Sequence, residues 1–196
     1  MRTRDEHKET KLLQEALQMI VREGFDGLSM QKLAKAAKVS PATIYIYFKD
    51  RDDLILQLYK REVEKYFEYV LQEFDPEMSF AEGMRVQWKR RAAYVLQHPE
   101  MGHFMQQMAF TPLNQYSQVL LDPKYSAIMA RFSEKAIANG ELVPMPFEMY
   151  WSIAFAPLMN LIKTHKIGVD YQGNPFALTP EILERTLQQV LKALQP

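Results

Sequence analysis

Cysteine is absent from this chain of 196 residues. That excludes disulfides, iron–sulfur clusters and thiolate zinc sites, and it fits a reducing compartment. Glycine is scarce, at seven residues, and most stand where helices should end. No run of period-two alternation bounded by turn residues occurs, so the sequence offers no recognisable strand. An excess of charge of one sign is missing too: 24 Lys+Arg stand against 24 Asp+Glu. No global basic character therefore announces a nucleic-acid partner. Long apolar runs are absent, since Trp151–Ile162 is too short and interrupted to span a bilayer. The segment MRTRDEHKET is charged and lacks the apolar region of a secretory leader. A soluble, cytoplasmic protein is the expectation. Neither a phosphate-binding loop nor a nucleophile elbow is present. His98 and His103 lie out of phase for one helix face, with Pro99 between them. Neither enzyme activity nor a metal or cofactor is expected.

What is present is ordinary globular material, 47% hydrophobic and 24% charged. A chain of this length buries roughly 70% of its unfolded surface, so it can hold a core. Apolar spacing is helical nearly throughout. Leu12, Leu13, Ala16, Leu17, Ile20 and Val21 share one face of a first helix, Asp5–Glu23, ended by Gly24. Ser29 caps a short second helix, Met30–Ala37. Ser40 caps a third, Pro41–Phe48, with proline at its first position, where a missing N–H costs nothing. Asp50 caps a fourth, Arg51–Phe74, and Asp52 and Asp53 suit its positive end. Prolines and turn residues divide the rest into Ser79–Gln97, Glu100–Phe110, Pro123–Asn139, Phe147–Lys163 and Pro180–Leu194. The fold class is all-α, with about nine helices. Composition shifts near Arg51, which sets the expected boundary between domains 1–50 and 51–196.

Charge is unevenly placed. Residues 1–51 carry ten basic and seven acidic side chains, whereas the remainder carries fourteen and seventeen. Between Gly27 and Lys49 there are four lysines and no acid. The two short helices in that stretch, joined by a tight turn, have the layout of a helix-turn-helix, whose second helix can enter a DNA major groove. Spacing puts Ile44, Phe48 and part of Tyr45 inward, and Pro41, Ala42, Thr43, Ile46 and Tyr47 outward. Hydroxyls there can donate to phosphates, and Ala42 and Ile46 can touch thymine methyls.

The stretch GFDGLSMQKLAKAAKVSPATIYIYFKDRDDLILQLY, Gly24 to Tyr59, resembles the DNA-binding domain of the TetR family of bacterial repressors. Its Gly24-Phe25, Leu28-Ser29, Ala34, Val39-Ser40, Thr43-Ile44-Tyr45, Tyr47-Phe48-Lys49 and Asp53-Leu54 carry the likeness in order and spacing. The resemblance implies an N-terminal three-helix DNA-binding domain and a C-terminal helical domain for ligand binding and dimerisation. It assigns Ser29, Gln31, Ser40, Pro41, Ala42, Thr43, Tyr45, Ile46, Tyr47, Lys49 and Arg51 to the DNA, with Ser29, Tyr45, Tyr47, Lys49 and Arg51 on phosphates. Few long polar residues face the bases, so methyl contacts and shape readout should dominate.

In the C-terminal part, aromatics and methionines at helical spacing suit either a core or an adaptable apolar pocket. The family holds a small-molecule pocket between these helices. The candidates are Trp88, Tyr94, His98, His103, Phe104, Gln107, Met108, Phe132, Trp151, Phe155 and Met159. Leu183, Leu187, Val190, Leu191 and Leu194 form a narrow apolar stripe, which fits a partner helix or packing within the subunit. By the resemblance, the last two long helices pair across a two-fold axis, bringing in Tyr150 and Leu158, with Pro157 kinking the first of them. The function so implied is a homodimeric, ligand-responsive repressor. It would bind a near-palindromic operator and be released by a small, largely apolar effector, with helix four as the lever. An effector-independent structural DNA-binding protein and an all-α enzyme are the alternatives.

Overall fold

A computed structural model describes residues 5–116 and 122–196. Residues 1–4, and with them Arg2 and Arg4 of the N-terminal basic count, lie outside the described residues. Nine α-helices occur among the described residues: α1 Glu6–Glu23, α2 Met30–Ala37, α3 Pro41–Ile44, α4 Arg51–Val70, α5 Phe80–Gln97, α6 Pro99–Met108, α7 Pro123–Ala138, α8 Phe147–Ile167 and α9 Pro180–Leu194. The only extended pairing among them is one isolated bridge, Val169 with Pro175. No described helix is long and apolar enough to cross a membrane.

The starts and stops follow the local chemistry. Side-chain oxygens of Asp5, Ser29, Ser40, Asp122 and Thr179 each accept a backbone N–H in the first turn of the helix that follows. Asp50 accepts from the Asp53 N–H at 2.9 Å while Asp53 accepts from the Lys49 N–H at 2.8 Å, a reciprocal cap on α4. Gly24 ends α1 at φ 73°, where a Cβ would be strained, and donates to the Ile20 carbonyl. Helix α4 stops at Val70, short of the expected Phe74. Arg90 accounts for this stop: Nε and Nη2 donate to the Tyr69 carbonyl at 3.1 and 2.7 Å, a cation set on the last carbonyls of the helix.

Helix α3 ends at Ile44 rather than Phe48, half its expected length, and α8 runs on to Ile167, past the expected Lys163. Past Ile44 the chain tightens: Ile46 N–H donates to the Thr43 carbonyl and Tyr47 N–H to the Ile44 carbonyl, both i to i+3 bonds. In that geometry a residue lies beneath the one three before it. Tyr47 therefore follows Ile44 inward, and Tyr45 and Ile46 remain outside.

The chain forms two compact units. Described residues within Met1–Lys65 and His98–Leu121 make one; those within Tyr66–Gln97 and Asp122–Pro196 make the other. The first has a core of Leu12, Ala16, Ile20, Leu33, Ile44, Phe48, Leu54 and Leu58, closed by Phe104 and Met108 from α6. Compactness thus places α6 with the N-terminal helices, because its apolar side faces α1 and Phe104 meets the Phe25 ring at 6.0 Å. This grouping by compactness runs past residue 50, where the sequence leads one to expect the domain boundary.

In the second unit α5 is the central helix, burying Phe80, Gly83, Met84, Gln87, Trp88, Arg91, Ala92, Tyr94 and Val95. A Cβ on Gly83 would lie 2.4 Å from the Phe132 ring, so only glycine lets α7 approach here. Helix α8 runs unbroken through Pro157. Proline removes one ladder donor, and the Trp88 indole N–H donates to the nearby Ala154 carbonyl at 2.8 Å. Helix α9 turns its stripe into this unit: Leu187, Val190, Leu191 and Leu194 are buried. Arg85 holds Glu184 of α9 at 2.9 Å, and that hydrogen bond keeps the Glu184 carboxyl below the usual range.

Candidate nucleic-acid interface

The turn between α2 and α3 is built on Lys38, the one described residue other than glycine at positive φ (58°). Its N–H and that of Val39 donate to the carbonyls at the end of α2, which closes the helix and aims the chain into Ser40. Ser40 Oγ accepts the Thr43 N–H at 3.2 Å and lies 2.9 Å from Thr43 Oγ1. Leu33, Ala34, Ala37, Ile44 and Phe48 are buried beneath, so α2 and α3 are held at a fixed angle by packing rather than by charge.

Above that core lies an exposed strip. Gln31, Ser40, Pro41 and Ala42 are open to solvent, Thr43 and Ser29 are half-buried, and Tyr45 and Ile46 are exposed to 55% and 48%. Two apolar or amphipathic side chains this exposed, side by side in the turn that ends a short helix, are unusual unless something meets them. Lys35, Lys38 and Lys49 stand around the strip, exposed and without an ion pair among the described residues. Lys32 instead donates to the Gly27 carbonyl at 3.2 Å and pairs with Glu23 at 3.5 Å. The hydrogen bond from Arg22, with Lys32 adding to it, holds the Glu23 carboxyl below the usual carboxylate range. The strip offers methyl and aromatic surface, hydroxyls and a ring of positive charge, which is the chemistry of a duplex groove and its flanking phosphates.

Two expected contacts do not belong to it. Tyr47 is buried to 7% exposure, and its hydroxyl accepts the Asp5 backbone N–H at 3.2 Å. It ties the turn after α3 to the start of α1, which leaves it little surface for a phosphate. Arg51 is half-buried; its Nε donates to the Leu28 carbonyl at 3.0 Å and its Nη2 to the Phe25 carbonyl. Those donors hold the loop after α1, so Arg51 fastens the interface from behind.

The expected ligand residues divide between the units. His98, His103, Phe104, Gln107 and Met108 belong to the first; Trp88, Tyr94, Phe132, Trp151, Phe155 and Met159 belong to the second. Phe104, Met108, Trp88, Tyr94, Phe132 and Phe155 are buried, whereas His103, Trp151 and Met159 are exposed. Of the expected dimer residues, Tyr150, Leu158, Leu187, Val190, Leu191 and Leu194 are buried within the chain and have little area left for a partner. Leu183 is half-buried. The apolar stripe of α9 serves internal packing, the second of its two sequence readings. The large apolar side chains that α8 leaves exposed are Phe147, Met149, Trp151, Met159 and Ile167.

Sequence reading passed over Arg91 and Gln87, both fully buried and polar. Their signal was present: they stand four apart on α5, on the same face as Met84 and Trp88, where a surface helix carries apolar side chains.

Comparison with known proteins agrees with this geometry. The family model for bacterial regulatory proteins of the tetR family matches residues 12–58. An HTH-type transcriptional regulator of Haemophilus influenzae is 28% identical over 177 residues, covering 90% of each chain. A TetR family transcription regulator from Marinobacter aquaeolei, solved by crystallography, is 25% identical with a TM-score of 0.77, covering 100% of this chain and 99% of its own. The fold is also shared with FadR from Bacillus subtilis, solved in complex with stearoyl-CoA, at 17% identity and a TM-score of 0.71 over 95% of this chain and 97% of that one.

Proposed function

The chain belongs to the tetR family of bacterial transcriptional regulators, and from that premise we propose that it is a ligand-responsive repressor acting as a homodimer on a near-palindromic operator. The exposed strip of Pro41, Ala42, Tyr45 and Ile46, ringed by exposed lysines, carries the reading. A strip with apolar and hydroxyl groups and few long polar ones reads methyls and groove shape, with Gln31 and Thr43 as its hydrogen-bonding members. Lys49, just past the strip, meets the flanking phosphate. Two copies place two such strips in successive major grooves, about 34–36 Å apart.

Exposed Phe147, Met149 and Met159 on α8 support self-association, since apolar side chains of that size on one helix favour a covered state. The effector is small and largely apolar, held by aromatic and methionine side chains of the second unit. A regulator of the same fold, FadR from Bacillus subtilis, was solved with stearoyl-CoA bound, and this supports a ligand role for the fold. Helix α4 starts in one unit and ends in the other, so it is the element through which ligand preference reaches the DNA strip. A 100-fold preference for one conformation corresponds to about 2.7 kcal/mol, enough to shift the population decisively.

Selection of bound fragments from genomic DNA tests this. Recovery of a two-fold-symmetric sequence, bound more tightly than random DNA and with affinity that falls as salt rises, is the expected result. Recovery of no preferred sequence, with salt-sensitive binding retained, would instead favour the structural DNA-binding reading.

A further inference from the structure

Arg91 is 1% exposed, at the centre of the second unit. Its Nη1 donates to the Tyr66 hydroxyl at 2.6 Å and its Nη2 to Gln87 Oε1 at 3.2 Å, both neutral acceptors. Arg91 Nε and Gln87 Nε2 are buried donors that no protein group accepts. No ion pair to Arg91 occurs among the described residues. Aromatic faces surround the guanidinium, with ring centres at 4.3 Å for Phe155 and 5.1 Å for Trp151.

An arginine side chain keeps its positive charge in a protein, and burying a cation without an anion is costly. Ring quadrupoles offset part of that cost but supply no acceptor for an N–H. The neighbouring Arg90 shows how this fold uses an arginine for structure: it ties itself to the Tyr69 carbonyl and to Glu73. Arg91 is not spent that way. Its free donor and that of Gln87 sit one helical turn apart on one face of α5, and such a pair suits an oxyanion. Trp151 connects this point to the surface: it is 37% exposed, and its ring lies 4.7 Å from that of Phe155.

We propose that Arg91 and Gln87 form the head-group site of an amphipathic acid, whose oxyanion they bind and whose apolar body lies along Trp151 and Phe155. The assignment rests on the ligand-responsive reading and narrows it from an apolar effector to an acidic one.

Binding of decanoate, decyl phosphate and decanol to the full chain, followed by calorimetry, tests it. At least one anion should bind about ten-fold more tightly than decanol. Arg91→Met should erase that difference and leave decanol within about two-fold, because methionine keeps the apolar stem. Neither anion exceeding decanol, or an anion preference that survives Arg91→Met, overturns the proposal. Should Arg91→Met fail to fold, Gln87→Met gives the same test: a weakened anion preference supports the site, and a full one overturns it. Release of selected DNA separates the two claims. Decanol releasing DNA while neither anion does so overturns the head-group site and keeps the responsive regulator. An anion that needs Arg91 to bind, yet leaves DNA affinity unchanged, keeps the site and overturns the responsive regulator.

Discussion

Tyr45 and Tyr47 carry the same side chain two positions apart, and the tightened turn after Ile44 sends one out and the other in. Residue type therefore does not decide which of them is open to a partner; the pitch of a single turn does. Tyr45→Ala is expected to lower DNA affinity about five-fold with no change in melting temperature, since its hydroxyl and ring are exposed. Tyr47→Phe should leave DNA affinity unchanged and lower stability by about 1 kcal/mol, the worth of its bond to Asp5. Parallel mobility-shift and denaturant titrations read both. Tyr150 makes a second prediction at this scale. Burial pushes its hydroxyl up to about 12, and the charge of Arg91 opposes that rise in part. The unfolded chain loses this proton near pH 10 while the folded chain keeps it to about 12. The contribution is thus fully present below about pH 10 and is lost as pH rises toward about 12. Denaturant melts through that range should show a steeper loss of stability in the wild type than in Tyr150→Phe.

Elements are decided by a mixture of local and distant causes. Helices α1, α2, α5 and α9 begin and end where caps, glycine and proline put them, to within a residue of the expected limits. Helix α3 does not, because the signals at its start are local and strong while its end depends on what Tyr47 can bury. Helix α4 stops where Arg90, distant in sequence, caps it. Packing between α5 and α7 rests on Gly83, with Phe132 held between the rings of Phe74 and Phe80 at 5.0 and 5.6 Å. Gly83→Ala gains helix propensity, about 1 kcal/mol. The clash with a ring that has nowhere to turn should outweigh it, for a net loss of about 1–3 kcal/mol. A fall in the urea midpoint without a change in its slope is the measurement that checks this.

At the scale of the whole molecule, self-association is the testable property. The stripe on α9 is used internally, so the proposed dimer is expected to draw on the apolar side chains that α8 leaves exposed. Met149→Lys together with Met159→Lys should shift a dimer to monomer in sedimentation at micromolar concentration, with the helical content retained. Replacing Leu187, which is buried, should instead lower stability by about 2–5 kcal/mol on truncation to alanine. A monomer for the unaltered chain at that concentration would contradict the dimeric repressor.

By itself the sequence determined the class of the fold, the succession of helices, and the helix-turn-helix segment with its serine caps and N-terminal proline. These depend on periodicity and on hydrogen bonds reaching three or four residues, and such signals are written locally. Tertiary structure alone decided which tyrosine faces outward, that Arg51 braces a loop, that the α9 stripe is internal, and that Arg91 is buried among aromatic rings with a donor to spare. Each of those depends on partners twenty to a hundred residues away, and a one-dimensional pattern carries no record of which distant surface a side chain will meet.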